Sequence, residues 1–244
     1  MRQVPDTATR VKISSTGKSL DTSNIQYVIN PYEEYALEEA IRIKEKLLDT
    51  QITILTLGPP RVLNSITKAL AVGADDAIHL QGEDEDMDSH SIAMVLAEEL
   101  KQHNFNLILF GKKSVEDDNH QIGPMVAEIL GIPCISSCTN YELEDNSIVA
   151  QREIEGAIEV FETTLPSVIT QEKGPHELRY PSLKDLMSAK TKPISSKIIE
   201  AQENRVNIMG FEYPSPRPTG KIVGLGEDAV PELVRLLRED ANVI

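Results

Sequence analysis

The densest set of side chains able to hold a ligand lies inside residues 107–133, LILFGKKSVEDDNHQIGPMVAEILGIP. Lys112 and Lys113 are cations, Ser114, Asn119, His120 and Gln121 offer hydrogen bonds, and Glu116, Asp117 and Asp118 are carboxylates. An apolar run, Leu107 to Phe110, stops at Gly111, and an apolar pattern of helical period resumes at Ile122, Met125, Val126 and Ile129. This is a buried strand, a loop and a helix. In an open parallel sheet, ligands sit beyond the carboxyl ends of strands, where helix N-termini present unpaired N–H groups and partial positive charge. With Asn119, His120 and Gln121 at the helix start, side-chain and main-chain donors converge on one anion, and a mononucleotide phosphate fits there. The same residues also read as an ordinary strand-to-helix turn carrying a solvated acidic loop.

No catalytic set accompanies them. A nucleotide hydrolase or ligase would need a phosphate-activating group, but there is no Gly-x-x-x-x-Gly-Lys-Ser/Thr loop and no Ser/Gly-rich pyrophosphatase loop. His79, His90, His103, His120 and His176 show no ligand spacing, so no metal site is expected. The run GEDEDMD, residues 82–88, lacks the glycine and terminal glutamate of a calcium loop and reads as a solvated loop.

The elements that must position the loop are well signalled. Asn30 stands as an N-cap before Pro31, with Glu33 and Glu34 in the first turn of a helix whose apolar stripe includes Leu37, Ile41 and Leu48. A strand from Ile52 to Leu57 ends at Gly58-Pro59-Pro60, a helix from Val62 to Val72 ends at Gly73, and Ala77 to Leu80 is a short strand. Ser89-His90-Ser91 can cap a third helix reaching Leu100. Cys134 to Tyr141, Ser147 to Gln151 and Ala157 to Thr163 look like strands, and a polar hairpin is expected before Asn30, turning at Ser14 to Gly17. The alternation predicts an α/β fold, a mostly parallel Rossmann-like sheet with helices on both faces. Past Thr170 prolines punctuate a segment with little periodicity, apart from short helices at Leu183 to Ala189 and Asp228 to Glu239. An extended arm of this kind is costly to order alone and wraps a partner chain.

A net charge of −15 over 244 residues opposes nucleic acid and anionic membrane surfaces, so neither is expected as a partner. No apolar run approaches a membrane span and the first residues show no apolar signal core, which predicts a soluble, intracellular protein. Cys134 and Cys138 in CISSC would share one strand face about 13 Å apart. That spacing excludes a disulfide between them.

Several segments, taken in order, resemble the beta (small) subunit of electron-transfer flavoprotein: RQVPDT (2–7), INPYEEYALEEAIRIKE (29–45), ALAVGADDAIHL (69–80), GKKSVEDDNHQIGPM (111–125), QREIEGAIEVFETTLPSVIT (151–170) and RYPSLKDLMSAKTKPI (179–194). The resemblance runs nearly end to end. It implies a nucleotide-binding α/β domain over residues 1–192 and a C-terminal arm, 193–244, that embraces an alpha subunit. It also implies an electron carrier rather than an enzyme, with FAD held mainly by the alpha subunit and AMP in this one. Such heterodimers take electrons from acyl-CoA dehydrogenases and pass them to a membrane quinone oxidoreductase. The compartment implied is the cytoplasm, or alternatively the mitochondrial matrix; no transit peptide is visible.

Residue by residue, the resemblance puts the AMP site at Asn30, Pro31, Tyr32 and Glu33, the strand end Leu57, and the loop Gly111, Lys112, Lys113, Ser114, Val115, Glu116, Asp117, Asp118, Asn119, His120, Gln121 and Ile122. Asp117 and Asp118 would accept from ribose hydroxyls or amides rather than meet phosphate. Tyr180, Leu183, Leu186 and Met187 fall in the dehydrogenase recognition loop, and Glu153 matches a glutamate near the flavin domain. Three departures stand beside these matches. The family opens with an apolar strand before its Lys-Gln-Val-Pro, whereas this sequence reads MRQVP, so either that strand lies upstream or the sheet lacks a central strand. GPMVAEILGIP resembles the bifurcating branch, in which a second FAD replaces AMP, while NPYEEYALEEA and EDDNHQ resemble the AMP branch. The pair Asn119-His120 also departs from the usual pattern. A nucleotide-sensing module of stress-protein type is the rival on the same general fold, and it would not need the arm.

Overall fold

The computed structural model describes residues 1–83, 87–144, 146–200, 202–217 and 219–244. Two short strands, β1 (Gln3–Pro5) and β2 (Tyr27–Ile29), pair antiparallel with Gln3 opposite Ile29. The loop between them carries one isolated bridge, Ile13 to Leu20, around the expected Ser14 to Gly17 turn. The polar hairpin is thus reduced to a bridge. Helix α1 (Pro31–Lys46) starts as expected, with Pro31 in its first turn, Glu33 and Glu34 at its positive end and Lys44 and Lys46 at its negative end. Then come β3 (Thr53–Gly58), α2 (Leu63–Val72) after a single 3₁₀ turn, β4 (Asp76–Gln81), α3 (Ser89–Leu100), β5 (Leu107–Gly111) and α4 (Ile122–Leu130). Gly131 ends α4 in the left-handed region at φ 69°, where a side chain would be strained.

The parallel strands form two sheets of three. In one the order is β11-β4-β3, and in the other β5-β10-β6, where β6 is Cys134–Cys138, β10 is Ser167–Gln171 and β11 is Ile194–Ile198. Both β10 and β11 go beyond the sequence reading. β10 lies at the heart of its sheet with all five residues buried. Ile194–Ile198, at the start of the segment read as an arm, pairs parallel to β4 along its whole length. A third sheet, antiparallel, is made of β7 (Asn140–Glu144), β8 (Ser147–Ile154) and β9 (Ala157–Thr164). The single strand expected over Cys134 to Tyr141 is therefore broken. Ser137 takes a positive φ of 57° and the register with β10 shifts there, so the chain changes sheet at a bulge. Both cysteines are free, and burial pushes their thiols up to about 11 for Cys134 and about 12 for Cys138.

Adjacent strand residues point to opposite faces, and they feed two helix layers. Ile54 and Ala77 pack with Leu37, Ile41, Ile66 and Leu70 of α1 and α2. Leu57 and Leu80 pack on the other side with Ile92, Leu96 and Val126 of α3 and α4. Parallel sheets flanked by helices are thus observed, as the sequence predicts. α5 (Leu183–Ala189) lies against α2, with Ala189 buried and Leu186 packed on the first helix layer. Beyond Ile199 the described residues form no helix or strand until a 3₁₀ turn (Glu227–Ala229) and α6 (Val230–Glu239), which buries no residue. No helix among the described residues is long and apolar enough to cross a membrane.

Candidate nucleotide site

At the carboxyl ends of β3 and β5, the loop between β5 and α4 closes over a cavity of about 60 Å³. Of the residues expected to bind, Glu33, Leu57, Gly111, Lys112, Lys113, Ser114, Asp117, Asn119, Gln121 and Ile122 line it. Phe110 and Gly123 of the same stretch also line it, as do Met1, Arg2, Leu55, Ile92 and Leu96, which the sequence reading missed because no local pattern joins the first residues to a loop more than a hundred positions away.

The start of α1 and the loop are held together without regular pairing. Asn30 is fully buried, and its side chain caps no helix N–H. Instead its Nδ2 donates to the Lys113 carbonyl (2.7 Å) and its Oδ1 accepts from the Val115 N–H (3.3 Å). The side-chain capping expected of Asn30 is thereby redirected: α1 uses the Asn30 carbonyl, which accepts from Glu33, while the amide grips the loop. Glu33 accepts from the Gly111 N–H (3.1 Å). Gly111 is required by this approach, since a Cβ there would stand 2.7 Å from the Tyr32 carbonyl carbon.

The basic side chains on the cavity wall are each paired with a carboxylate. Lys112 pairs with Glu172, Arg2 with Glu116, and Lys113 with Asp118 at 2.8 Å. The Lys113 ammonium lies 5.7 Å and that of Lys112 5.0 Å from the centre of the Tyr32 ring. The hydrogen bond to Asp118 holds Lys113 above its ordinary pKa, and the same bond holds the Asp118 carboxyl below its own. Asp118 and His120 both adopt left-handed backbone, at φ 56° each. Asn119 bridges the loop to α3, donating to Ser89 Oγ (2.7 Å) and to Asp117 (3.0 Å), and its Oδ1 accepts from the Gln121 N–H (3.3 Å). Gln121 precedes α4 without capping it through its side chain, and Ile122 and Gly123, which open the helix, face the cavity. Pro31, Tyr32, Val115, Glu116, Asp118 and His120 stand around the cavity rather than on its wall.

The other expected positions lie apart from this cavity. Glu153 is an exposed residue of β8, opposite Ile158 of β9. Tyr180, before α5, is 87% exposed, and Leu183 and Met187 on the helix are 83% and 66% exposed. Leu186 departs from that group, because it packs inward. The segment is anchored by Arg179, whose guanidinium meets Glu38 at 2.8 Å and Glu45 at 2.6 Å on α1, and by His176 on Glu39.

One residue of the acidic run has a structural task that composition did not show. Residues 84–86 of that run lie outside the described residues, but Asp88 is the N-cap of α3, accepting from Ser91 (2.8 Å), where Ser89-His90-Ser91 was expected to cap. Its other oxygen accepts from the N–H groups of Arg205 (2.7 Å) and Val206 (2.8 Å) in the extended segment. Desolvation pushes its carboxyl up, but the N–H groups of Ser91, Val206 and Arg205 together outweigh that and hold it at about 2. A carboxyl lowered from 3.8 to about 2 contributes stability that is complete above the higher value and lost as pH falls through the lower one. Protease cutting near Arg205 is therefore expected to accelerate between about pH 4 and 2. Asp88→Ala should show the same cutting at neutral pH, together with about 1 kcal/mol of lost capping.

Comparison with known proteins follows the same outline. A family model described as "Electron transfer flavoprotein domain" matches residues 18–200, which contain the loop, both helix starts and the α5 segment. The chain belongs to the electron transfer flavoprotein family. Its relatives include the "Electron transfer flavoprotein subunit beta" of Bacillus subtilis (strain 168), 37% identical over 254 residues, covering 100% of this chain and 98% of that protein. The human protein of that name is 31% identical over 247 residues, covering 98% and 96%, and the Arabidopsis thaliana "Electron transfer flavoprotein subunit beta, mitochondrial" is 31% identical over 254 residues, covering 100% and 98%. Relatives of this family therefore match along the full length, the extended C-terminal segment included.

Proposed function

We propose that the chain is the small subunit of a heterodimeric electron-transfer flavoprotein, binding an AMP at the β5–α4 loop and wrapping an alpha subunit with its C-terminal segment. The observation that carries this reading is the cavity at the carboxyl ends of β3 and β5, where a helix start without a side-chain cap, Lys112, Lys113 and Ser114 meet beside the Asn30-anchored loop. The donor set fits a phosphate: the N–H groups at the start of α4 and the Lys112 and Lys113 ammonium groups suit an anion. Glu33 and Asp117 then serve as acceptors for hydroxyl or amino groups, since like charge keeps them off the phosphate.

Electron transfer is the chemistry of the FAD, which this reading places mainly in the alpha subunit, with Glu153 on the exposed β8–β9 sheet near the flavin-bearing domain. This chain supplies a scaffold, a nucleotide anchor and a docking segment at Tyr180, Leu183 and Met187 for acyl-CoA dehydrogenases, electrons passing onward to a quinone oxidoreductase. The exposed apolar side chains of the C-terminal segment, Ile208, Met209, Ile222, Leu225 and Leu233 among them, support the wrapping role, because a chain in isolation gains nothing by leaving them in water.

The test is to denature the heterodimer purified from its native source and quantify released nucleotides. About one AMP and one FAD per heterodimer is expected from one site on each side. Two FAD and no AMP would replace the AMP assignment with the bifurcating arrangement. Neither nucleotide in the small subunit would remove the β5–α4 loop as a site.

A further inference from the structure

Residues 172–182, between β10 and α5, form no helix or strand, yet the exposed patch of Tyr180, Leu183 and Met187 is fastened on both sides to the first helix layer. On the amino-terminal side Arg179 lies along α1. Its Nε and Nη2 donate to the two oxygens of Glu38 at 2.8 and 2.9 Å, its main-chain N–H reaches the same carboxylate at 3.3 Å, and Nη1 donates to Glu45 at 2.6 Å. On the carboxyl-terminal side Lys192 donates to the Leu70 (2.8 Å) and Ala74 (2.5 Å) carbonyls at the end of α2. Leu186 and Ala189 pack inward between the two fastenings.

Stability alone is a poor reason for the Arg179 fastening. The Glu38 side chain is only 3% exposed, and an ion pair with so buried a member commonly adds no more than apolar side chains of the same size would. What the pair adds is direction. A guanidinium fork on both oxygens of a carboxylate fixes angle as well as distance, which an apolar contact does not. Only Tyr180 and Pro181 separate Arg179 from Ser182, the cap of α5; Pro181 fixes its own φ and confines Tyr180 to extended backbone. The orientation set at Arg179 is therefore carried with little play to Leu183, the first residue of α5.

We infer that Arg179 is a positioning residue for docking: its fork on Glu38 and Glu45 holds Tyr180, Leu183 and Met187 in the conformation that the partner meets. The inference rests on the reading of this patch as the dehydrogenase docking segment. All three side-chain nitrogens of Arg179 are engaged on α1, so its effect passes through the exposed side chains and not through a contact of its own. An unfastened segment must be ordered at each encounter, and apparent affinity then falls with the fraction of molecules that are binding-competent. Removing Arg179 leaves Glu38 with Arg42 at 2.9 Å, so no buried carboxylate is stranded by the substitution.

The test uses the heterodimer, reduced by a purified acyl-CoA dehydrogenase over a range of heterodimer concentrations. Arg179→Ala is expected to raise the KM for the heterodimer about tenfold with kcat unchanged, and Arg179→Lys, which keeps the charge but not the fork, about threefold. In a Leu183→Ala background Arg179→Ala should add less than about threefold, because the main side chain it presents is gone. Effects that multiply in full overturn the inference, since Arg179 would then act on the partner directly or on the whole fold. Amide exchange in the free heterodimer is the second measurement. At Asp185 and Leu186, whose N–H groups donate to Ser182, Arg179→Ala should speed exchange at least about tenfold. Unchanged exchange, or an unchanged KM in Arg179→Ala where Leu183→Ala raises it, overturns the inference and leaves the docking segment in place. An unchanged KM in Leu183→Ala removes the docking reading and this inference with it. If Arg179→Ala does not assemble, Glu45→Gln weakens one limb at a side chain 56% exposed and is expected to raise KM about threefold; no change there overturns the inference as well.

Discussion

Gly111→Ala is expected to empty the small-subunit site and to lower the melting temperature by roughly 4–10 °C. The added methyl group would stand 2.7 Å from both the carbonyl carbon and the Cβ of Tyr32 and 2.8 Å from the Glu33 nitrogen, so backbone rather than a flexible side chain must move. Overpacking of this kind costs about 1–3 kcal/mol. The shift falls on the contact that sets the site, because the loop is pinned to the start of α1 through Asn30 at Lys113 and Val115 and through Glu33 at Gly111. AMP recovered from the purified heterodimer should fall at least about tenfold, equivalent to 1.4 kcal/mol or more. Full AMP content in Gly111→Ala would show that the nucleotide binds away from this loop.

Leu183→Ala is expected to weaken electron transfer from an acyl-CoA dehydrogenase by roughly 10- to 100-fold, with flavin content and melting temperature unchanged. Burying one leucine in a partner is worth about 1.5–3 kcal/mol, which sets that range. At 83% exposure Leu183 contributes almost nothing to this chain's own core, and the capping box of Ser182 and Asp185 presents it at the first position of α5. Leu186, three residues on, packs inward against the first helix layer. Leu186→Ala should therefore lower the melting temperature by about 3–6 °C and leave intrinsic docking intact. A stability loss in Leu183→Ala with unaltered transfer would reverse the two roles.

The helices and the local strands were legible in the sequence because their signals are local. Pro31 behind Asn30, the glycine after α4 and the apolar run of β5 each declare an element within a few residues. What escaped depends on distant partners. Ser167–Gln171 is five residues beyond a hairpin, and only its place between β5 and β6 makes it a central strand. Ile194–Ile198 has exposed, polar-interrupted composition and becomes a strand by lying on β4. Asp88 looked like one more solvated carboxylate because the N–H groups it accepts from lie at 205 and 206. In the site, the lysines, Asn119 and the helix start were readable, whereas the redirected grip of Asn30 and the arrival of Met1 and Arg2 were not, for neither leaves a periodic trace.

The placement of β10 between β5 and β6 has a consequence for the order in which the protein assembles. β5 and β6 have no direct pairing and are joined only when residues 167–171 insert between them. The binding loop waits on the same event, since the Lys112 N–H donates to the Gln171 carbonyl (2.8 Å) and Lys112 pairs with Glu172. On the ribosome the loop is therefore complete in sequence long before it can be shaped, while the whole β7–β9 hairpin sheet is synthesised in between. Parallel pairing across such a separation is slow to form, and the emerging chain carries open apolar strand edges until it does. Shaping of this loop is thus a late step in biogenesis, and so is nucleotide capture on the function proposed above; a chain released before Gln171 has neither a finished sheet nor a shaped loop.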